Sequence, residues 1–267
     1  MLALVYPHLD PIAISLGPVH IRWYALAYIT GLMLGWSYVK WLVRRQPHAM
    51  TELQVDDFLV WATLGVVLGG RLGYVLFYKP DFYFTHPLEI VEVWHGGMSF
   101  HGGLLGVVTA IVLFSRQRRL NLFAVGDVVV CAVPIGLFFG RIANFVNGEL
   151  FGRVAPPDLP WGMVFPGGGP EPRHPSQLYE AGMEGLILVT VLFLLWRIPA
   201  IRARSGVLSG CFLVGYGLAR ITGEVFRQPD PFLGFLWGGA TMGQLLSTPL
   251  VAAGLALIWW RSRAKAA

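Results

Sequence analysis

Three short stretches of this chain carry polar residues at spacings that could do chemistry. In GRIANFVNGELFG, Arg141, Asn144 and Asn147 follow one another at i, i+3, i+6, with Glu149 and Gly152 just beyond. In YGLARITGEVFRQPD, Tyr216, Arg220 and Glu224 follow at i, i+4, i+8. Both series place their side chains near one helix face. In HPSQLYEAGMEG, Gln177, Glu180 and Glu184 repeat the pattern. A guanidinium is always charged and forms bidentate hydrogen bonds with phosphate, so Arg141 and Arg220 are candidates to grip an anionic headgroup. WHGGMSFHGGLLG sets His101 between Phe100 and two glycines. Glycine removes side-chain bulk and allows a ligand close approach, and histidine exchanges protons near neutral pH. His95 and His174 stand in weaker contexts. No HExxH pair or similar ligand pattern occurs, so neither metal nor cofactor is expected.

The elements that hold these residues are apolar. Hydrophobic residues make up 55% of the 267 and charged residues only 13%, where a soluble domain carries about 25% charged. That deficit excludes an ordinary water-soluble surface and, with it, a nucleic-acid-binding role. A spanning helix needs about 20 mostly apolar residues. Seven segments qualify: 21–43, 58–77, 98–114, 122–145, 176–196, 206–226 and 240–260. The expected fold is therefore all-α and polytopic, a single membrane domain over 1–267 with seven transmembrane helices.

Loop charge orients it. One set of alternate loops holds Lys40, Arg44, Arg45, Arg116, Arg118, Arg119, Arg197, Arg202, Arg204, Arg261, Arg263 and Lys265. The other holds Arg22, Lys79, Arg153, Arg173 and Arg227. The positive-inside bias puts the N-terminus outside and the C-terminus in the cytoplasm, which demands an odd number of spans. The outer connections are the longer ones. Residues 78–97 form an arm-like insertion and 146–175 a Gly- and Pro-rich head-like insertion, expected to be a small irregular outer subdomain. All three polar clusters then fall toward the outer ends of their helices.

Gly65, Gly69 and Gly73 recur every four residues, as do Gly31/Gly35, Gly102/Gly106 and Gly206/Gly210. Small residues at this spacing let helix backbones pack closely in lipid. Trp23, Trp94, Trp237, Trp259 and Trp260 fall where an interfacial aromatic belt belongs. Cys131 and Cys211 sit in apolar runs and read as small core residues. The N-terminal stretch has no Lys or Arg before Arg22 and three prolines, Pro7, Pro11 and Pro18. It lacks the basic region and cleavage site of a signal peptide and is expected to be retained.

Ionisable residues inside spans by default suggest function. The competing account is an interhelical salt-bridge network, which has an equal claim on Glu180, Glu184, Asp127 and Arg71. A transporter or channel for an anionic solute would also carry buried Arg–Glu pairs. Two features speak against it: the clusters sit at one end of the membrane, and the inner halves of the same spans are apolar; the lack of a visible internal repeat weakens it further.

These residues resemble the prolipoprotein diacylglyceryl transferases over nearly the whole chain. GRIANFVNGELFG is similar to that family's signature. GGMSFHGGL around His101, RHPSQLYEA at 173–181, YGLARITGEVFRQPD and, more weakly, IRWYAL with Tyr24 are similar to further family motifs. His95 in WHGGMS is a small departure. The resemblance implies phosphatidylglycerol as lipid donor and the lipobox cysteine of a prolipoprotein signal peptide as acceptor. It implies a thioether product, released glycerol phosphate, and a reaction at the outer face of the bacterial cytoplasmic (inner) membrane. His101, Arg141 and Arg220 are then the candidate catalytic residues. Tyr24, Asn144, Asn147, Glu149, Gly152, Tyr216 and Glu224 join the two arginines as candidate substrate-binding residues.

Overall fold

A computed structural model describes residues 4–7, 9–46, 48–229 and 234–263; Lys265 and Asp230 of the stretches above lie outside the described residues. In chain order the elements are β1 (Leu4–Val5), β2 (Ile12–Leu16), β3 (Val19–Arg22), α1 (Trp23–Val43), α2 (Glu52–Phe77), α3 (Pro80–Thr85), α4 (Phe100–Gln117), α5 (Leu122–Val146), β4 (Met163–Val164), α6 (Ser176–Arg197), α7 (Val207–Phe226) and α8 (Met242–Ser262). Five helices, α2, α4, α5, α6 and α8, are long and apolar enough to cross a membrane. The other two long ones, α1 and α7, have 21 and 20 residues. α1 carries three Trp and three Tyr, and α7 carries Arg220 and Glu224, which lowers their apolarity.

The helix ends follow their caps. Thr51 and Gln54 close a capping box that starts α2 at Glu52, six residues before the apolar run begins, because the cap satisfies the first turn's amides whatever their polarity. Thr241 and Gln244 do the same for α8. Ser99 caps α4, its hydroxyl accepting from the Gly102 amide at 3.2 Å.

The chain divides into two compact units, 39–128 and 1–38 with 129–267. In the first, α2 and α4 run antiparallel along the glycine seam expected from their spacing. A Cβ built on Gly69 would strike the Gly102 carbonyl oxygen and the Gly106 Cα; one on Gly73 would lie 2.7 Å from the Gly102 Cα. At the far end of this seam, Arg71 is buried and donates only to backbone oxygens. These belong to Glu89 (2.6 Å), Ile90 (2.8 Å) and Gly96 (2.6 Å), all in the 78–97 insertion. At the opposite end of the unit, three exposed or half-buried ion pairs join the loops: Lys40–Asp56, Arg44–Glu52 and Arg118–Asp57.

The second unit adds strands that an all-α reading omits. β2 and β3 pair antiparallel around a two-residue Gly17–Pro18 turn, with Gly17 at φ +60°. Ile12, Ile14, Val19 and Ile21 are β-branched, and they flank a turn dipeptide, a hairpin signal. β1 pairs in parallel with β4, which ties the start of the chain to the 146–175 insertion. Tyr6, 3% exposed, seats its hydroxyl 2.7 Å from the carbonyls of Phe145 and Val146, so it caps the C-terminal end of α5. Gly206 stands at the N-cap of α7, at φ +102°. Gly210 packs against Gly254 and Ile258 of α8.

Candidate functional site

The C-terminal ends of α5 and α7 and the N-terminal part of α6, all within the second unit, bring three guanidiniums and three carboxylates together. Arg141 lays its Nε and Nη2 on Glu184 Oε2 at 3.0 and 2.9 Å and its Nη1 on Glu180 Oε2 at 2.7 Å. Arg220 pairs with Glu224 Oε1 at 2.5 Å through Nη2, and its Nη1 lies 3.4 Å from Glu180 Oε2 and 3.8 Å from Glu184 Oε1. Arg227 closes the set, with Nη1 3.6 Å from Glu180 Oε2 and Nε 3.9 Å from Glu224 Oε1. The two arginines singled out from spacing thus share the same two acidic residues.

Accessibility sorts the cluster. The arginine side chains are 15%, 16% and 10% exposed, whereas Glu180, Glu184 and Glu224 are 1%, 0% and 5% exposed. The carboxylates lie behind and the guanidiniums in front. An isolated buried charge is expensive, and the acids offset it. The guanidiniums are the more accessible side of the cluster. The site is therefore a charge-balanced array that presents cations, rather than the purely cationic pocket that two arginines alone would make.

Local backbone explains how the acids reach the arginines. Between Glu180 and Leu188 the helix widens into a π turn, Ala181–Ile187, and such bulges re-aim side chains at functional sites. Gly185 lets this turn press on α5: a Cβ there would sit 2.6 Å from the Phe138 Cβ. That contact lies one turn from Arg141 and sets the Arg141–Glu184 fork.

A second group adjoins the end of α5. Asn144 and Asn147 both donate to Glu149 Oε1, at 2.8 and 3.4 Å, and Gln177 donates to the Glu149 carbonyl at 2.7 Å. Gly148 and Leu150, on either side of Glu149, have φ of +65° and +56°. For Leu150 that is a strained conformation, of the kind that clusters at functional sites. It folds the exposed Glu149 carboxylate back over the helix end. Gly152 works in the backbone. Its amide donates to the His174 carbonyl at 2.9 Å, and a Cβ would lie 2.5 Å from that oxygen and 2.6 Å from the Phe226 carbonyl. It therefore seams the insertion to the end of α7 instead of offering a side chain.

Tyr216 stacks on Phe212 and lies within electrostatic range of Arg141, Glu180, Glu184 and Arg220. Tyr24 bonds Tyr28 through its hydroxyl at 3.3 Å and lies within range of Glu149 and Arg141. His101 belongs to the other unit. It is an exposed residue at the second position of α4 with an edge contact to Phe100.

Spacing alone did not single out Arg227, yet it stands seven residues after Arg220 and three after Glu224, on the same helical face. Arg153 was also passed over. Its Nε donates to the Arg227 carbonyl at 2.9 Å and its Nη2 to the Glu224 carbonyl at 2.8 Å, which pins the end of α7. Arg71, with its hydrogen bonds on backbone carbonyls and its guanidinium 5.1 Å over the Tyr83 ring, is accounted for as an anchor of the 78–97 insertion.

Fold and cluster together define a helical membrane protein with a buried guanidinium–carboxylate array at the ends of three helices. Comparison with known proteins goes further. A family profile described as prolipoprotein diacylglyceryl transferase matches residues 11–260. The chain is similar to the phosphatidylglycerol–prolipoprotein diacylglyceryl transferase of Paramagnetospirillum magneticum, at 74% identity over 99% of both chains. It is also similar to those of Rhodospirillum rubrum, at 59% identity over 99% of this chain and 97% of that one, and Nitrobacter hamburgensis, at 58% over 96% and 90%. The chain belongs to the prolipoprotein diacylglyceryl transferase family. Nothing in these comparisons supports the transporter alternative.

Proposed function

We propose that this chain transfers the diacylglyceryl group of phosphatidylglycerol to the lipobox cysteine thiol of prolipoproteins. A thioether forms and glycerol phosphate is released, the first step of bacterial lipoprotein maturation. The observation that carries this reading is the near-complete coverage of relatives bearing that activity in their names, joined to an array whose accessible faces are guanidiniums.

The chemistry sets three demands. The thiol must lose its proton. Its sulfur must bond the glyceryl carbon as the carbon–oxygen bond to phosphate breaks. The phosphate must keep the electron pair. A free cysteine has a pKa of about 8.5, so a base or an electropositive site must raise its thiolate fraction. His101 is the candidate base. Glu149, exposed and oriented by Asn144 and Asn147, is the alternative. Glu224 is less suited, because it is buried against Arg220. Arg141 and Arg220 neutralise charge on the departing phosphate through guanidinium edges that the acids hold in place. Preorganised donors of this kind supply about 2.7–4 kcal/mol each. Asn144, Asn147, Tyr24 and Tyr216 orient the headgroup, Asn144 and Asn147 acting through Glu149.

In this reading the seven helices α1, α2 and α4–α8 all span one integral membrane domain of the inner membrane. The N-terminus is outside, the C-terminus is cytoplasmic, and the insertions 78–97 and 146–175 lie on the outer face. The partners are phosphatidylglycerol, the signal peptide and surrounding lipid. A direct assay mixes purified protein, labelled phosphatidylglycerol and a lipobox peptide. Label on the peptide cysteine is the expected result. Absence of label from folded protein contradicts the proposal, and anion flux without label would restore the transport reading.

A further inference from the structure

A single oxygen, Glu180 Oε2, is the one acidic atom that all three guanidiniums approach: Arg141 at 2.7 Å, Arg220 at 3.4 Å and Arg227 at 3.6 Å. Arg141 comes from α5, whereas Arg220 and Arg227, seven residues apart, come from α7 and its C-terminal cap. A common partner sets their mutual spacing as no pairwise bond could. Three features of the fold serve that convergence. Glu180 ends the regular turn of α6 just before the π turn, where the helix changes winding and its side chain is aimed independently of the residues beyond. Gly223 lies between Arg220 and Arg227 on α7, and a Cβ there would sit 3.3 Å from the Glu180 Cγ, so α7 passes directly over the acid's stem. Arg153 then holds the carbonyls of Glu224 and Arg227, so the turn that carries Arg227 cannot swing away.

The pairing is also deliberately incomplete. Among the described residues, Glu180 Oε1, Glu184 Oε1 and Arg220 Nη1 are buried without a hydrogen bond, and Arg220 and Arg227 meet Glu180 only at the outer limit of ion-pair distance. A network selected for stability alone would saturate these groups, since an unpaired buried polar atom is costly. Arg227 reaches Glu180 at 3.6 Å and Glu224 at 3.9 Å, and its guanidinium stays 10% exposed.

We infer that Glu180 is a positioning residue that gathers Arg141, Arg220 and Arg227 into one three-guanidinium clamp, and that Arg227 is a further binding residue for the phosphate of the lipid donor. The inference rests on the transferase reading above. The three guanidiniums are balanced by Glu180, Glu184 and Glu224, but the acids lie behind them, so a phosphodiester, and the second charge that develops when it leaves as a monoester, meets guanidinium edges first.

The test uses the full chain in lipid nanodiscs, with phosphatidylglycerol and a lipobox peptide as the two substrates. Thermal midpoint and folded yield are measured alongside. Glu180→Gln keeps the shape and removes the charge. It is expected to lower kcat about 100-fold and to raise KM for phosphatidylglycerol while KM for the peptide stays within about twofold. Glu180→Asp keeps the charge on a shorter stem and is expected to recover about tenfold of the lost rate. Arg227→Gln is expected to raise KM for phosphatidylglycerol about tenfold with the melting midpoint retained. Glu180→Gln with parental kinetics overturns the inference. So does a loss that tracks the unfolded fraction and affects both substrates alike. If Glu180→Gln does not fold, Arg227→Gln decides alone: a parental KM for phosphatidylglycerol rules out the third guanidinium. Parent protein that folds but labels no peptide would instead remove the transferase reading, and this inference with it.

Discussion

Arg71 and Arg141 are both arginines buried in membrane-length helices, and they are satisfied in opposite ways. Arg71 is 5% exposed and spends its donors on carbonyl oxygens of the 78–97 insertion. Among the described residues its hydrogen bonds all go to backbone carbonyls, and its neighbour Gly97 packs closely on it, since a Cβ there would meet the Arg71 Nη1 at 2.9 Å. Arg141 is 15% exposed and rests on two fully buried carboxylates. Backbone carbonyls fix an arginine as part of the scaffold. Carboxylates behind a guanidinium lower the cost of burying it and leave its front edge for a second anion. On the function proposed above, two positions that look alike by hydropathy do different work, the first structural and the second chemical.

The largest effect that could break this contrast is in the array itself. Arg141→Ala or Arg220→Ala is expected to abolish transfer while the protein still inserts, measured as label on the peptide against membrane-fraction yield. Transfer near the parental rate would leave the array a mere salt-bridge network. Next, His101→Ala is expected to lose most activity with an unchanged melting curve, and His101→Asn not to restore it. A near-normal rate would pass the role of base to Glu149 and leave the phosphate clamp standing.

In the scaffold half of the contrast, Gly106→Leu should cost folded yield rather than specific activity. Any side chain at 106 runs into the Gly65 carbonyl, and overpacking of this kind destabilises by about 1–3 kcal/mol or more. A folded, stable Gly106→Leu would mean that α2 and α4 do not pack through their glycines. The smallest effect concerns pH. Burial holds the His174 imidazole below its ordinary range, so folding favours its neutral form. That contribution is present above the unfolded value of about 6.5 and is lost as pH falls through the folded one. The thermal midpoint of the parent should drop more steeply below pH 6 than that of His174→Gln; parallel curves would contradict this.

Much of the architecture was legible because lipid constrains sequence so strongly. Helices must be long, apolar and internally bonded, and the α2/α4 seam announced itself in Gly65, Gly69, Gly73, Gly102 and Gly106. Arg141, Arg220 and Glu224 were legible for the same reason, since charge in an apolar run stands out. The N-terminal hairpin and the β1–β4 pairing were not, although Gly17–Pro18 between β-branched residues was a usable sign. Strand pairing between Leu4 and Met163 depends on a partner that no local pattern reveals. The π turn left no trace in residue spacing, so Glu180 and Glu184 could be placed on one face but not assigned a partner. Arg227 looked like one more outer basic residue because the nearer of its two acids, Glu180, lies on another helix.

The contrast between the two arginines is tested most directly by the transfer rates of Arg141→Lys and Arg71→Lys, measured on equal amounts of folded protein in nanodiscs. Lysine keeps each charge, and so the balance with Glu180 and Glu184, but it has no planar fork. The account predicts that Arg141→Lys loses about 100-fold or more in rate at a parental melting midpoint, whereas Arg71→Lys melts earlier and keeps its rate per folded molecule within a few fold. Parental transfer by Arg141→Lys would contradict it.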